Sequence, residues 1–226
     1  MTFHVLTLFP EIFTQSMHSM IKRASEDGKI AINPVFIRDF ATNNRRQTDG
    51  YPYGGGAGMV MMAEPIYRAY KSLDCAASRV IYLSPQGKRF NQAIAQELAA
   101  EAELILLCGH YEGVDQRVID EIVTDEISIG DFVLTGGEIA ALAVIDAVAR
   151  LVPDVIKPES LESESFSDGF LEYPQYTRPP DFMGRKVPEV LLSGHHGEIA
   201  KWRRQQAIDA TRLKRPDLLK ENVYEL

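Results

Sequence analysis

The sequence predicts an α/β protein with a mostly parallel sheet, followed by a small all-helical C-terminal domain. Strand-like and helix-like patterns alternate through roughly the first 150 residues, which places helices on both faces of a parallel sheet. After Pro158 the texture breaks into the acidic, Ser-rich and then Pro-rich run ESLESESFSDGFLEYPQYTRPPD, the composition of a linker or of a loop that orders on binding. The remainder has helical apolar spacing at Ile199, Trp202 and Ile208, and Pro216 restarts a second short helix. The expected division is a domain over 1–158, a linker over 159–175 and a helical domain over 176–226. A helical unit of about 50 residues is marginal alone, so it is expected to dock on a partner.

FHVLTLF (3–9) reads as a buried strand, and Pro10 and Glu11 open a helix to about Ser25, stopped by Gly28. IAINPVFI is the next strand, AEPIYRAYKSL a helix and RVIYLS (79–84) a strand. NQAIAQELAAEA is a helix whose N-cap is Asn91, because an Asn side chain accepts from a first-turn N–H. LILLC is a strand, VDQRVIDEIV a helix and EISIGDFVL another strand. GGEIAALAVIDAVARLVP gives a helix from about Gly137 to Leu151, ended by Pro153. Nearly every face between Ile139 and Val152 is apolar, so this helix is expected to be buried all round.

An apolar fraction of 45% and a charged fraction of 25% are those of an ordinary globular protein. No apolar run is long enough to span a bilayer, and MTFHVLTLFPEIF lacks the basic lead and cleavage site of a signal peptide. A cytoplasmic protein with no membrane partner is the expectation. Cys75 and Cys108 fit a reducing compartment, Cys108 as a buried small hydrophobe, and neither a disulfide nor a metal role is expected of them. The net charge of −8 hides an asymmetry. From Tyr176 to Leu226 ten Lys or Arg face seven Asp or Glu, so the tail carries about +3 and the rest about −11; such a tail suits an anionic partner or a solvated basic helix.

Three strands end in loops rich in glycine or turn formers: YLSPQGKRF, CGHYEGVDQR and ISIGDFVLTGGE. In an open parallel sheet, ligands bind outside the carboxyl ends of the strands. One glycine is explained by a tight turn, but three such loops together point to a ligand. No G-x-G-x-x-G follows the first strand and no phosphate-loop motif occurs, which disfavours a nicotinamide dehydrogenase and a Rossmann-type methyltransferase. YGGGAGM (53–59) fits neither spacing. Asp146 and Arg150 stand one turn apart, placed to pair with each other, or to aim Arg150 at an anionic group; spacing slightly favours the pair. Asp168 beside Gly169 reads alone as a turn, and the adjacent His195 and His196 complete no zinc pattern.

With these residues in view, the chain closely resembles the bacterial tRNA (guanine-N1)-methyltransferase family of the SPOUT superfamily of trefoil-knotted methyltransferases. The resemblance runs through TLFPEIF, DGYPYGGGAGM, YLSPQGKRFNQ, LLCGHYEGVDQRV, EISIGDFVLTGGE, IDAVARLVP, SFSDGFLEYPQYTRP, VPEVLLSGHHGEIAKWR and TRLKRPDLL. It covers the whole chain in order. It implies a deep trefoil knot, which general experience of folds would not suggest.

The resemblance also implies an S-adenosylmethionine site at Tyr82, Leu83, Ser84, Gly109, Tyr111, Glu112, Ile129, Gly130, Asp131, Phe132, Val133, Leu134, Gly136 and Gly137. The implied substrate is the guanosine at tRNA position 37. Methylating N1 needs a base for its proton and a donor for the charge developing on O6; the resemblance gives these roles to Asp168 and Arg150. Glu112 faces the reaction centre and is a candidate participant with Mg²⁺. The family pattern is a homodimer in which Asp168 of one chain completes the site of the other, and Lys201, Arg203, Arg204, Arg212, Lys214 and Arg215 are candidates to grip tRNA phosphates. Two other classes compete: a knotted RNA-binding protein without catalysis, and a small-molecule enzyme using an adenine nucleotide.

Overall fold

The computed structural model describes residues 1–15, 19–73, 75, 79–162 and 164–221. In chain order, β1 (Thr2–Thr7) leads through α1 (Glu11–Gln15) and α2 (Ser19–Glu26) to β2 (Ala31–Phe36) and a 3-10 turn at Ile37–Phe40. The short antiparallel pair β3 (Asp49–Gly50) and β4 (Val60–Met61) precedes α3 (Ala63–Lys71), β5 (Arg79–Arg89), α4 (Gln92–Ala99) and β6 (Glu103–Cys108). Then come α5 (Gln116–Ile122), β7 (Asp125–Ser128) and α6 (Glu138–Ala149). The chain continues through α7 (Pro158–Glu162), the hairpin strands β8 (Asp181–Phe182) and β9 (Arg185–Lys186), α8 (Glu189–Leu192), α9 (His196–Lys214) and α10 (Asp217–Glu221). Two compact units result, Met1–Ile156 and Lys157–Leu226.

The first unit is built on a five-stranded sheet ordered β2-β1-β6-β5-β7, with every pairing parallel. Phe3 lies opposite Ile32 and Leu104, and Ile81 opposite Leu106. Side chains alternate across the pleat, so β6 sends Leu104, Leu106 and Cys108 into one core with Phe3, Val5, Ile94, Leu98, Val144 and Val148. Ile105 and Leu107 enter a second core with Leu6, Ile66, Val118 and Ile122. Strands buried on both faces explain the unbroken apolar runs of the sequence. Asn91 caps α4 as expected, its Oδ1 accepting from Ile94 N at 3.0 Å.

Several expectations are corrected. The segment expected as one helix from Glu11 to about Ser25 is helical over Glu11–Gln15 and Ser19–Glu26, and residues 16–18 lie outside the described residues. β5 does not end at Ser84: it runs to Arg89, with both Leu83 and Lys88 opposite Ile127 and the intervening residues bulged out. Gly87 permits this, because a Cβ there would sit 2.4 Å from the Glu126 carbonyl carbon. β7 stops at Ser128 rather than Leu134, since the Ser128 hydroxyl donates to Gly130 O and accepts from Gly130 N, turning the chain away. α6 is not buried all round: Ile139, Ala143 and Asp146 form an exposed stripe, while Ala140, Ala141, Val144, Ile145 and Val148 are buried.

The second unit is not all helical. Its β8–β9 hairpin turns at Met183 and Gly184, both at positive φ, and Gly184 N donates to Asp181 Oδ1; two such residues match the twist of paired strands. Nor is 159–175 a separate linker. It belongs to this unit, where Leu171 N donates to Thr211 Oγ1 at 2.8 Å and Phe170 packs under the Arg204 guanidinium at 4.2 Å.

Candidate active site at the carboxyl ends of the strands

The three glycine-bearing loops converge on one cavity of about 400 Å³ at the bulge of β5 and beyond the ends of β6 and β7. Tyr82, Leu83 and Ser84 line it from β5, with Pro85 and Gln86 carried in by the bulge. Gly109, Tyr111 and Glu112 line it after β6, and Ile129, Gly130, Phe132, Val133, Leu134, Gly136 and Gly137 after β7. Of the residues expected to hold a cofactor, only Asp131 stands outside the lining; it is exposed and ion-paired with Arg89.

Backbone contacts lock the loops together. Gly137 N donates to Gly109 O at 2.9 Å, and His110 bridges Gly136 in antiparallel fashion. The approach is too close for any side chain: a Cβ at Gly137 would lie 2.8 Å from Cys108 Cα, and one at Gly136 would lie 2.1 Å from His110 Nε2. On the other side, Glu112 N donates to Met59 O and Met61 N to Gly113 O. Gly58, at φ 78°, leaves room for the Glu112 side chain, whose Oε1 would be 2.3 Å from a Cβ there. The glycine-rich YGGGAGM segment thus buttresses the 109–114 loop, in which Tyr111 itself is left-handed at φ 59°.

Beneath the loops lies a buried polar chain that the sequence did not single out. Glu138 is only 3% exposed; its Oε1 accepts from the Thr7 hydroxyl at 2.7 Å and its Oε2 lies 2.8 Å from His110 Nε2. Thr7 Oγ1 in turn accepts from Phe9 N, and the Phe9 ring stands 4.8 Å from the His110 ring. A buried carboxylate needs such partners. An acidic residue opening a helix looks like an ordinary dipole match, and burial is what the sequence conceals.

Electrostatics sharpen the picture. Burial, and secondarily the Glu126 charge, raises the Tyr82 hydroxyl above its ordinary value, so it stays a neutral donor in the cavity wall. Burial pushes the Cys108 thiol well up, with Glu138 adding to it, which leaves Cys108 as the small hydrophobe expected. The Arg117 guanidinium holds the Asp115 carboxyl below its usual range, fixing the residue that caps α5 through Arg117 N.

Comparison with known proteins decides which family the chain belongs to. The family model described as tRNA (Guanine-1)-methyltransferase TrmD matches residues 1–221. A tRNA (guanine-N(1)-)-methyltransferase of Caldicellulosiruptor saccharolyticus is 58% identical over 221 residues, 97% of this chain and 90% of that protein. Proteins of the same description from Exiguobacterium sibiricum (57% over 220 residues, 97% and 91%) and Clostridioides difficile (54% over 228 residues, 98% and 99%) are similar throughout. The chain belongs to the tRNA (guanine-1)-methyltransferase family.

The remaining residues expected from the family pattern lie in both units. Arg150 is the half-buried C-cap of α6, its N–H donating to Asp146 O at 3.2 Å. Asp168 lies in the second unit, where it is ion-paired with Arg204 and its Oδ1 accepts from Phe170 N at 3.3 Å. Among the expected tRNA-binding cations, Lys201 pairs with Glu198 (2.9 Å), Arg212 with Asp209 (3.6 Å) and Arg215 with Asp217 (2.6 Å). Arg203 stacks over the Tyr173 ring at 4.9 Å, and Lys214 is exposed in the last turn of α9. No helix among the described residues is long and apolar enough to cross a membrane.

Proposed function

We propose that this protein transfers a methyl group from S-adenosylmethionine to N1 of the guanosine at position 37 of tRNA. The observation that carries the reading is the single cavity in which three strand-end loops meet, in a chain matched by the family model over almost its whole length. The cavity suits the cofactor chemically. Its wall mixes main-chain groups with the apolar Leu83, Ile129, Phe132, Val133 and Leu134, which matches an adenine ring and a methionine chain. The Gly136 and Gly137 backbones approach where no Cβ fits without a shift, and one at Gly109 would press on the Tyr82 ring at 3.0 Å. The interlocked 109–113 and 136–137 loops are also what a trefoil knot of the chain would bring together.

When bound, S-adenosylmethionine supplies an electrophilic methyl on a sulfonium sulfur. Guanine N1 must lose its proton to take that methyl. Asp168 of the partner subunit accepts the N1 proton, the N1 lone pair takes the methyl carbon as the carbon–sulfur bond breaks and leaves its electron pair on sulfur, and Arg150 donates to O6 as charge gathers there. Asp168 must first exchange Arg204 for the base, which makes tRNA engagement part of assembling the site. The exposed stripe of Ile139, Ala143 and Asp146 on α6 supports pairing of two copies. Glu112 is the residue that would supply a carboxylate oxygen to Mg²⁺, an ion that one or two carboxylates suffice to hold and that would add positive charge near the reacting base.

The test is transfer of labelled methyl to transcripts carrying G or A at position 37, with wild type and Asp168→Ala in parallel. Label on the G transcript alone, lost in the variant while tRNA binding persists, is the expected result. No label from folded wild type would leave a binding protein, and an active Asp168→Ala would remove the base assignment alone.

A further inference from the structure

We propose that His4, Cys75 and Glu103 form a transition-metal site, suited to Zn²⁺, at the amino-terminal edge of the sheet, opposite the cofactor cavity. The three residues are far apart in sequence and come from β1, the segment after α3 and the first position of β6. The fold brings their ligand atoms within 4.8 Å of one another, the one such His/Cys/Asp/Glu group among the described residues.

The chemistry and the distances agree. Cys75 Sγ lies 3.7 Å and Glu103 Oε1 3.8 Å from His4 Nε2. Zinc held at about 2.0 Å from nitrogen and oxygen and about 2.3 Å from sulfur, in tetrahedral array, sets such atoms about 3.3–3.6 Å apart, so the two distances to His4 are within a few tenths of an ångström of that array, and the sulfur and the carboxylate lie within 4.8 Å of each other. Thiolate with imidazole selects zinc over magnesium or calcium, which separates this site from any Mg²⁺ chemistry at the cavity. His4 is only 8% exposed, and a second residue aims its ring: the Asn33 side-chain amide lies 3.0 Å from Nδ1. The atom at that distance is the amide nitrogen, Asn33 Nδ2; metal binding through Nε2 calls for the amide turned so that Oδ1 accepts from Nδ1–H, the outer-shell arrangement of metal-binding histidines. Glu103 and Cys75 are partly exposed, so an ion can enter and water can take a fourth position. The competing arrangement is a hydrogen-bonded cluster alone, in which the Cys75 thiol donates to Leu73 O at 3.0 Å.

Metal-depleted full-length protein titrated with Zn²⁺, and in parallel with Co²⁺, distinguishes them. One ion per chain is expected, with a rise in Tm on zinc addition and thiolate-to-cobalt charge-transfer absorption. Cys75→Ser, which retains Cys108, should lose that absorption. Asn33→Ala should weaken zinc binding about 10–100-fold. Glu103→Gln, at a partly exposed position, keeps the test decisive if Cys75→Ser misfolds, and should weaken binding at least about tenfold. No stoichiometric binding by wild type would overturn the site. So would cobalt absorption unchanged in Cys75→Ser, or zinc affinity unchanged in Glu103→Gln.

Discussion

The strand-end cavity and the basic residues of the second unit handle charge in opposite ways. At the cavity, glycine backbones interlock without room for a methyl group, and beneath it Glu138, the one buried carboxylate among the described residues, is engaged by Thr7 and His110. On the second unit, Lys201, Arg204, Arg212 and Arg215 are exposed and paired with exposed carboxylates. Exposed pairs contribute about 0–1 kcal/mol each, so phosphates can displace the carboxylates at little cost. The cavity is preorganised for a small ligand of fixed shape, whereas the basic residues are a set of exchangeable partners suited to a polyanion.

Substitutions should therefore separate the two regions. The largest effect is expected at Asp168, the base of the proposed reaction: Asp168→Asn should lower single-turnover methyl transfer by about 10²–10⁴-fold while leaving S-adenosylmethionine affinity near wild type. Next, tRNA affinity should fall by about 10³-fold between 50 and 200 mM salt if six cations reach phosphates, with each Lys or Arg→Ala reducing the salt slope by about 1. Calorimetric affinity for S-adenosylmethionine should hardly change over that range; equal salt sensitivity would break the contrast. Third, Gly137→Ala should cost about 1–3 kcal/mol through overpacking against Cys108. It should weaken cofactor binding without altering the tRNA salt slope.

The smallest effect concerns pH. The Arg79 guanidinium, donating to both Asp125 oxygens, holds that carboxyl below its ordinary value. A lowered folded pKa gives stability that is present above the unfolded value of about 3.9 and is lost as pH falls through the folded value. Asp125→Asn should thus remove about 1 kcal/mol at neutral pH and flatten the acid limb below about pH 4, as read from urea midpoints.

Legibility in the sequence followed burial. β1, β5 and β6 were readable because strands buried on both faces write continuous apolar runs, and Asn91 because capping is local chemistry. The exposed stripe of α6 was not readable, since Ile139 and Ala143 are as apolar as the buried positions around them. Nor was the β5 bulge, which depends on Gly87 meeting the backbone of Glu126, a contact between residues far apart in sequence. The hairpin at Met183–Gly184 was missed because methionine rarely takes a positive φ. At the site, family resemblance named residues that the fold gathers around one cavity, Asp131 excepted. The Thr7–Glu138–His110 chain joins three segments distant in sequence, and no local pattern announces it.

The strand order also bears on synthesis. β6 lies between β1 and β5 in the sheet, and Phe3 meets Leu104, which follows it by about one hundred residues. At translation rates of about 5–20 residues per second, β1 waits roughly 5–20 s for that neighbour. Until then, only β2 can occupy one of its edges, and the apolar side chains of β1 lack the core they will enter. The middle of the sheet is thus among the last parts of the first unit to close. A nascent chain of this protein carries an unpaired apolar strand edge for seconds, a demand on the ribosome's surroundings set by topology alone.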